Sequence, residues 1–426
     1  MIGYVWPEPI SSAAGLRDLA LIGQFLRAGW KVHYASPAKP GKFSEMLEIM
    51  GVPTFSCEAN DPRFDAYVRE LQPDVVLFDR FVIEEQFGWR VEENCPDAVR
   101  ILDMQDFHSL RRARGAALEA GPAKGWTLAR VQDASQDNAE EVIEQFARED
   151  LLRELSAIYR SDLTLVISSF EMRLLLQRYR VPSELLLLQR LSYGPWKEKS
   201  PARQPLPSFE ERRHFVSIGN FRHPPNADAL RWLRAEIWPK IRKDLPEAEL
   251  HLYGAYPSRE MMEFSDAALG FIVKGPVEDQ YATLRRYRAL LAPLRYGAGI
   301  KGKISDAWSV GTPVVSTPIG AEGMVGDTQW PGEVAGDELS FAESACALYS
   351  RPDLWRERSQ EGLRAIARYY DAEANRRALL GTIRQVKEDL PERRRSNRIG
   401  AMLRQDMRRG TKYFSKWIEL KQSLKP

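Results

Sequence analysis

The chain has 426 residues, 44% hydrophobic and 28% charged, a length beyond one ordinary core that predicts two domains of roughly 200 residues each. No apolar run reaches the roughly 18 residues of a membrane span, the start MIGYVWPEPI lacks the basic-then-apolar order of a secretory leader, and Cys57, Cys95 and Cys346 are odd in number and far apart. These features exclude a spanning chain and a disulfide scaffold, leaving a cytoplasmic protein with reduced thiols as the expectation.

In chain order, IGYVW, KVHYAS, DVVLFD, VRILDM and DLTLVIS are compact β-rich runs, separated by stretches such as GLRDLALIGQFLRAGW with apolar residues at helical spacing. That alternation predicts a parallel sheet covered by helices over residues 1–193. A polar excursion from Ser109 to Arg160 interrupts it, and QDASQDNAEEVIEQFAREDLLREL within it reads as one long surface or cleft-lining helix. Residues 194–212 carry Pro195, Pro201, Pro205 and Pro207 and read as an interdomain linker. The rhythm restarts with HFVSIGN, AELHLYG, GFIVKG, ALLAPL and PVVST, defining a second domain over 213–380. Residues 381–426 read as a helical crossover and basic tail. Its part 391–426 holds eleven Arg or Lys against three Asp or Glu, so it carries +8 while the other 390 residues carry −6. The fold class expected is α/β, two doubly wound domains facing a cleft.

In such sheets ligands sit beyond the carboxyl ends of the strands. Three loops of the second domain occupy that place: GNFRHPPNA at 219–227, GPVED at 275–279 and RYGAGIKGK at 295–303. In the last, Gly297 and Gly299 let the backbone turn close to a ligand, and residues 300–310 read as helix. The helix start favours an anion, and Lys301 and Lys303 add positive charge, so a diphosphate suits the loop. A βα loop needs glycines whatever it binds, so these residues alone leave the ligand open.

GAGIKGKISDAWSVGTPVVSTPIGAEGM resembles the signature of the group 1 retaining glycosyltransferases of the GT-B fold, family 4 in the usual numbering. GNFRHPPNADALRWLRAEIWPKIRKDLPEAELHLYG, residues 219–254, resembles the opening of their donor domain, and PEPISSAAGLRDLALIGQFLRAGWKVHYAS matches more loosely. The resemblance implies transfer of a sugar, of the hexosyl type, from a nucleotide-diphosphate donor bound by the second domain to an acceptor bound by the first. It implies that Arg222, Lys301 and Lys303 hold the diphosphate, with Gly219, Asn220 and Gly297 beside it. Asp306 falls where the family has the second glutamate of its Glu-x7-Glu motif, which accepts hydrogen bonds from the ribose hydroxyls. Ala298 stands where the first glutamate would be, so sugar contacts are expected from backbone amides around Gly299 and Ile300.

His108, in RILDMQDFHSLRRAR, follows an apolar strand with Asp103 and Asp106 beside it, and the family often has a histidine there. It could meet a sugar hydroxyl or orient the acceptor, or it could cap a helix; Asp106 has the same standing. Glu322 in GAEGM reads as a donor-site residue or a turn cap. Ser11, Ser12 and Gly15 read as a small-residue loop under the donor or as a plain helix start. Trp232 and Trp238 read as packing, and Ser168, Ser169 and Glu171 as a strand end and helix start. No Asp-x-Asp pair occurs, no cofactor is expected, and fixed cations could stabilise the departing diphosphate without a metal. Two alternatives are an epimerase of the same fold, for which Asp103 and Asp106 are the carboxylates available, and a catalytically silent binding module.

The acceptor is unnamed by these residues, with a glycan or lipid-linked glycan favoured. The tail is loosely amphipathic and admits three readings: packing against the first domain, contact with the inner face of a membrane, and, ranked last, nucleic acid.

Overall fold

The computed structural model describes residues 1–9, 13–193, 205–326 and 328–423. Ser11, Ser12, Pro195 and Pro201 lie outside the described residues, as does most of the segment expected to link the domains. Residues 205–212 rest on the second domain, where buried Arg212 donates to the carbonyls of Pro207 and Val310 and to Thr312 Oγ1.

The first domain is built on β1 (Tyr34–Ser36), β2 (Thr54–Ser56), β3 (Val75–Asp79), β4 (Val99–Asp103), β5 (Leu163–Val166) and β6 (Leu186–Leu188). Residues 1–3 insert between β1 and β3: the Ile2 amide donates to Leu77 at 2.8 Å and the Gly3 amide to Ala35 at 2.9 Å. The order is therefore β2, β1, the N-terminal segment, β3, β4, β5, β6, with all pairings parallel. Runs such as VVLFD and VRILD are buried along almost their whole length, as strands covered on both faces must be.

The second domain repeats the plan with β7 (Arg213–Ile218), β8 (Leu250–Tyr253), β9 (Phe271–Gly275), β10 (Tyr287–Ala292), β11 (Val314–Ser316) and β12 (Glu333–Val334). Its order is β12, β11, β10, β7, β8, β9, again parallel. The strand order of both sheets reverses beside their first strand, which opens a crevice there. Trp232 and Trp238 are buried in the second core.

The expected single helix over 132–155 is instead two, Gln136–Phe146 and Arg148–Arg160, broken at Ala147 (φ −146°, ψ 28°). They are not surface elements. Ala139, Val142, Ile143, Leu151, Ala157 and Ile158 join the first-domain core, so both helices must angle to keep their apolar sides down.

The chain crosses back at Tyr370, whose carbonyl accepts from the Tyr193 amide at 2.7 Å. Helix Ala372–Glu388 then places Leu379, Leu380, Ile383 and Val386 against the first domain, beginning ahead of the boundary drawn at 381. The tail helices Arg398–Arg409 and Thr411–Ser423 lie on the same domain.

Candidate active site

A cavity of about 410 Å3 opens between the carboxyl ends of the two sheets, within the roughly 300–1,000 Å3 range of small-ligand sites. The second-domain wall comes from the loops after β7 and β10 and the start of helix Gly302–Ser309, which begins two residues later than the sequence pattern predicts. Gly219 and Gly299 are needed here for close approach. A Cβ at Gly219 would stand 2.8 Å from Asn226 Nδ2 and 3.0 Å from Lys303 Nζ. One at Gly299, which has φ +65°, would stand 2.8 Å from Asp106 Cβ in the other domain.

The two lysines differ in their company. Lys303 Nζ donates to Asn226 Oδ1 at 2.7 Å, its one hydrogen-bond partner among the described residues. Burial without a carboxylate to offset it pulls that ammonium down to about 8. Lys301 Nζ donates to the Gly299 carbonyl at 2.9 Å. Burial lowers it as well, opposed by Glu322 and Glu171 nearby. Lys303, at the start of a helix and short of anionic partners, is thus the stronger anion seat.

Asp306 also lines the cavity. Tyr193 and Tyr281 both donate to its Oδ1, at 2.6 and 3.4 Å, and burial pushes the carboxyl up to about 7. A carboxyl held this way accepts hydrogen bonds readily without demanding a cation.

The first-domain wall, the side expected to take the acceptor, holds His108, Asp106, Arg111, Arg80 and Gln105. His108 opens helix His108–Ala120; its amide and that of Ser109 donate to the two oxygens of Glu154 at 2.8 Å each. His108 Nδ1 lies 3.1 Å from the Asp106 carbonyl, which can only accept, so Nδ1 carries a proton. Burial alone would raise the Asp106 carboxyl, but His108 and Arg111 outweigh it and hold it well below the usual carboxylate range. Arg111 Nε reaches Asp106 Oδ2 at 2.6 Å.

Arg80 follows β3 directly and Gln105 stands two residues after β4, and both have positive φ, 73° and 63°. Arg80, with ψ 159°, occupies a region that essentially only glycine visits. Strain of this kind, about 1–3 kcal/mol, persists where the surroundings impose it, characteristically at functional sites.

The structure brings together Gly219, Asn220, Gly297, Ile300, Lys301, Lys303, Asp306, Asp106 and His108 around one cavity. It places four others elsewhere. Arg222 is exposed and stacks over Tyr256, 4.3 Å from the ring centroid. Gly15 is buried where a Cβ would meet the Glu8 backbone at 2.4 Å. Glu322 is buried in a forked ion pair with Arg114, at 2.6 and 2.8 Å. The Gly299 amide, expected to face the sugar, donates at 2.7 Å to Glu171 Oε1 of the first domain. Asp103, one of the two carboxylates weighed for an epimerase, is fully buried and clamped by Arg17 Nε and Nη2 at 2.7–2.9 Å.

Sequence reasoning missed Arg80, His223, Tyr193, Tyr281, Arg114 and the reach of Glu171. The first two follow strand ends, a signal open to use; the others act on residues more than 20 positions away. A larger cavity of about 610 Å3, lined by Met1, Phe25, Tyr67 and Ile383, lies toward the opposite, amino-terminal ends of the first-domain strands. Among the described residues no three His, Cys, Asp or Glu side chains converge as a metal site.

Residues 212–351 match the glycosyl transferases group 1 family. The whole chain is similar in structure to Anabaena HepE, seen in complex with UDP and glucose, with TM-score 0.64 and 12% identity over 90% of this chain and 98% of that one. It is also similar to the sucrose-phosphate synthase of Thermosynechococcus elongatus (TM-score 0.63, 15% identity, 90% and 98% covered). A third similar structure is a Rickettsia africae glycosyltransferase (TM-score 0.59, 10% identity, 90% and 97% covered). No curated protein matches the chain by sequence. The chain has the two-domain GT-B fold of these structures, and the stretch that matches the group 1 glycosyl transferases lies in its second domain.

Proposed function

We propose that the protein transfers a sugar, of the hexosyl type, from a nucleoside-diphosphate donor to a hydroxyl acceptor, with retention and without a metal. The observation that carries the proposal is Lys303: a buried ammonium with an amide oxygen as its hydrogen-bond partner, at a helix start, on a cavity between two domains. A diphosphate supplies the charge this group lacks. Cleavage of the anomeric C–O bond moves negative charge onto that diphosphate, so a fixed cation lowers the barrier. Lys301 adds charge from the same loop, Asp306 accepts from the ribose hydroxyls, and His108 Nε2 meets a hydroxyl of sugar or acceptor.

Similarity to HepE, whose crystals hold UDP-glucose, makes uridine donors the first to try. A glycan or lipid-linked glycan is the acceptor class we favour, since the acceptor wall offers hydrogen-bonding groups suited to hydroxyls.

Purified protein with a panel of nucleotide sugars and cell-extract acceptors should release free nucleotide. Lys303→Ala should lower kcat by about 10²–10³-fold, the cost of losing one preorganised donor to a developing anion, with an unchanged melting temperature. Epimerised donor in place of free nucleotide, or donor binding without turnover, would refute transfer.

A further inference from the structure

Helix Thr411–Ser423 is inside out. Toward the body it turns polar groups: Lys412 Nζ reaches Glu93 Oε1 at 2.6 Å, Ser415 Oγ donates to Asn60 Oδ1 at 2.5 Å, and Glu419 pairs with the fully buried Arg90. Away from the body it turns Tyr413, Phe414 and Trp417, which are 67, 62 and 53% exposed. The Phe414 and Trp417 rings stack on each other with centroids 6.0 Å apart. Helix Arg398–Arg409 continues the pattern. Its Arg404 and Met407 are buried while Ile399 and Met402 stand exposed.

An ordinary surface helix buries its apolar side and shows water its charges. Here the body under the last helix offers Asn60, Arg90 and Glu93, so ion pairs and hydrogen bonds hold the helix and its aromatic side is left outward. An exposed aromatic patch rimmed by polar residues marks a contact surface.

We propose that this face seats the protein on a lipid bilayer bearing anionic headgroups, with Tyr413, Phe414 and Trp417 at the boundary between headgroups and acyl chains. Charge selects this occupant over a second copy of the chain. Arg394, Arg404 and Lys412 of the tail are paired with Asp162, Glu92 and Glu93 of the first domain, but Arg398, Lys416 and Lys421 stand exposed, so two tails brought face to face repel, whereas anionic headgroups attract them. Lys416 and Lys421, on the same helix as the patch, are exposed to meet those headgroups, Lys421 lying over the Trp417 ring. Tyrosine and tryptophan, apolar in the ring and polar at one atom, suit that boundary. The inference stands independently of sugar transfer, because its test reads binding alone.

The same domain carries the acceptor wall. Helix Phe81–Asn94 starts beside Arg80 at the cavity and passes ten residues later under the tail at Arg90, a span of about 15 Å at helical rise. Docking through the tail would thus hold the acceptor wall close to the bilayer.

Full-length protein mixed with sucrose-loaded vesicles should sediment with phosphatidylcholine–phosphatidylglycerol vesicles and not with phosphatidylcholine alone, and added salt should weaken that binding. The double substitution Phe414→Ser/Trp417→Ser should bind at least about tenfold more weakly and keep the wild-type melting temperature. Lys416→Glu/Lys421→Glu should lose the preference for anionic vesicles. Vesicle binding equal in wild type and the Phe414/Trp417 variant, no binding by wild type, or a lipid-free dimer that the variant dissolves would each overturn the proposal.

Discussion

At the scale of single residues, Lys303 and Asp306 sit one helical turn apart on the same cavity with opposite titration logic. Burial holds the Lys303 ammonium at about 8, against 10.5 for a free lysine. The folded state therefore binds fewer protons than the unfolded chain between those values, and the cost of burying the charge is full below pH 8 and relieved above it. Asp306 is the reverse: raised to about 7 from 3.8, it stays protonated in the folded state, and its contribution to stability is lost as pH rises through that window. For ligand binding the lysine decides, since only its charged form attracts a diphosphate. Affinity for UDP should be flat below pH 8 and fall by up to about tenfold per pH unit above it, in step with loss of one proton. Lys303→Arg, which does not deprotonate, should make that fall shallower, leaving the part due to Lys301, which burial also lowers to about 8. Calorimetric titration from pH 6.5 to 9.5, a range chosen to bracket the lysine by roughly 1.5 units on each side, measures both slopes.

At the scale of elements, the loop from Arg295 to Lys303 does two jobs: it presents the lysines to the cavity and it touches the facing domain. The second depends on Gly299, whose missing Cβ lets the loop come against Asp106 and whose amide is held by Glu171. Gly299→Ala would combine a left-handed φ with a 2.8 Å approach to the Asp106 side chain. It should destabilise the protein by more than about 1 kcal/mol and lower kcat more than it raises the KM for donor, because the lysines move together with the loop. Steady-state kinetics beside thermal melts read the two effects separately. The loop itself was legible in the sequence as a glycine-bearing turn beyond the carboxyl end of an apolar strand, although its glycines and lysines alone left the ligand open. So was the sheet, because DVVLFD and VRILD are apolar on both faces as central parallel strands must be. What was illegible was partnership across distance. Ser168 and Glu171 read as a helix start, and Ser168 Oγ does accept from the Glu171 amide at 3.4 Å. Yet the Glu171 carboxylate spans 64 residues to Phe107 and 128 to Gly299, which no local pattern encodes. The break at Ala147 was hidden for a related reason: the helical pattern runs through it, and only the first-domain core that both helices cover makes them turn.

At the scale of the whole molecule, two buried ties fix the glycine-lysine loop of the second domain to the facing wall of the first. The first is Arg114 of the first domain, which holds Glu322 by a forked pair and the Gly297 carbonyl at 2.9 Å. The second is Glu171 Oε1, which accepts from Gly299 on one side and from Phe107, next to His108, on the other. Together they set the spacing between the lysines and His108. The ties differ in charge. Burial, reinforced by the nearby Asp106, raises the Glu171 carboxyl well above its ordinary range. Its Oε1 accepts from two backbone amides, a role an amide oxygen can also fill. Arg114 is fully buried and needs its carboxylate, and removing one partner of a buried pair costs about 3–5 kcal/mol. Glu171→Gln should accordingly leave the melting temperature and kcat near wild type. Glu322→Ala should lower the melting temperature and, if the domains part, increase the radius of gyration in solution scattering, with UDP drawing it back as the ligand bridges both walls. A compact Glu322→Ala variant with normal turnover would show that the Arg114 tie does not govern closure.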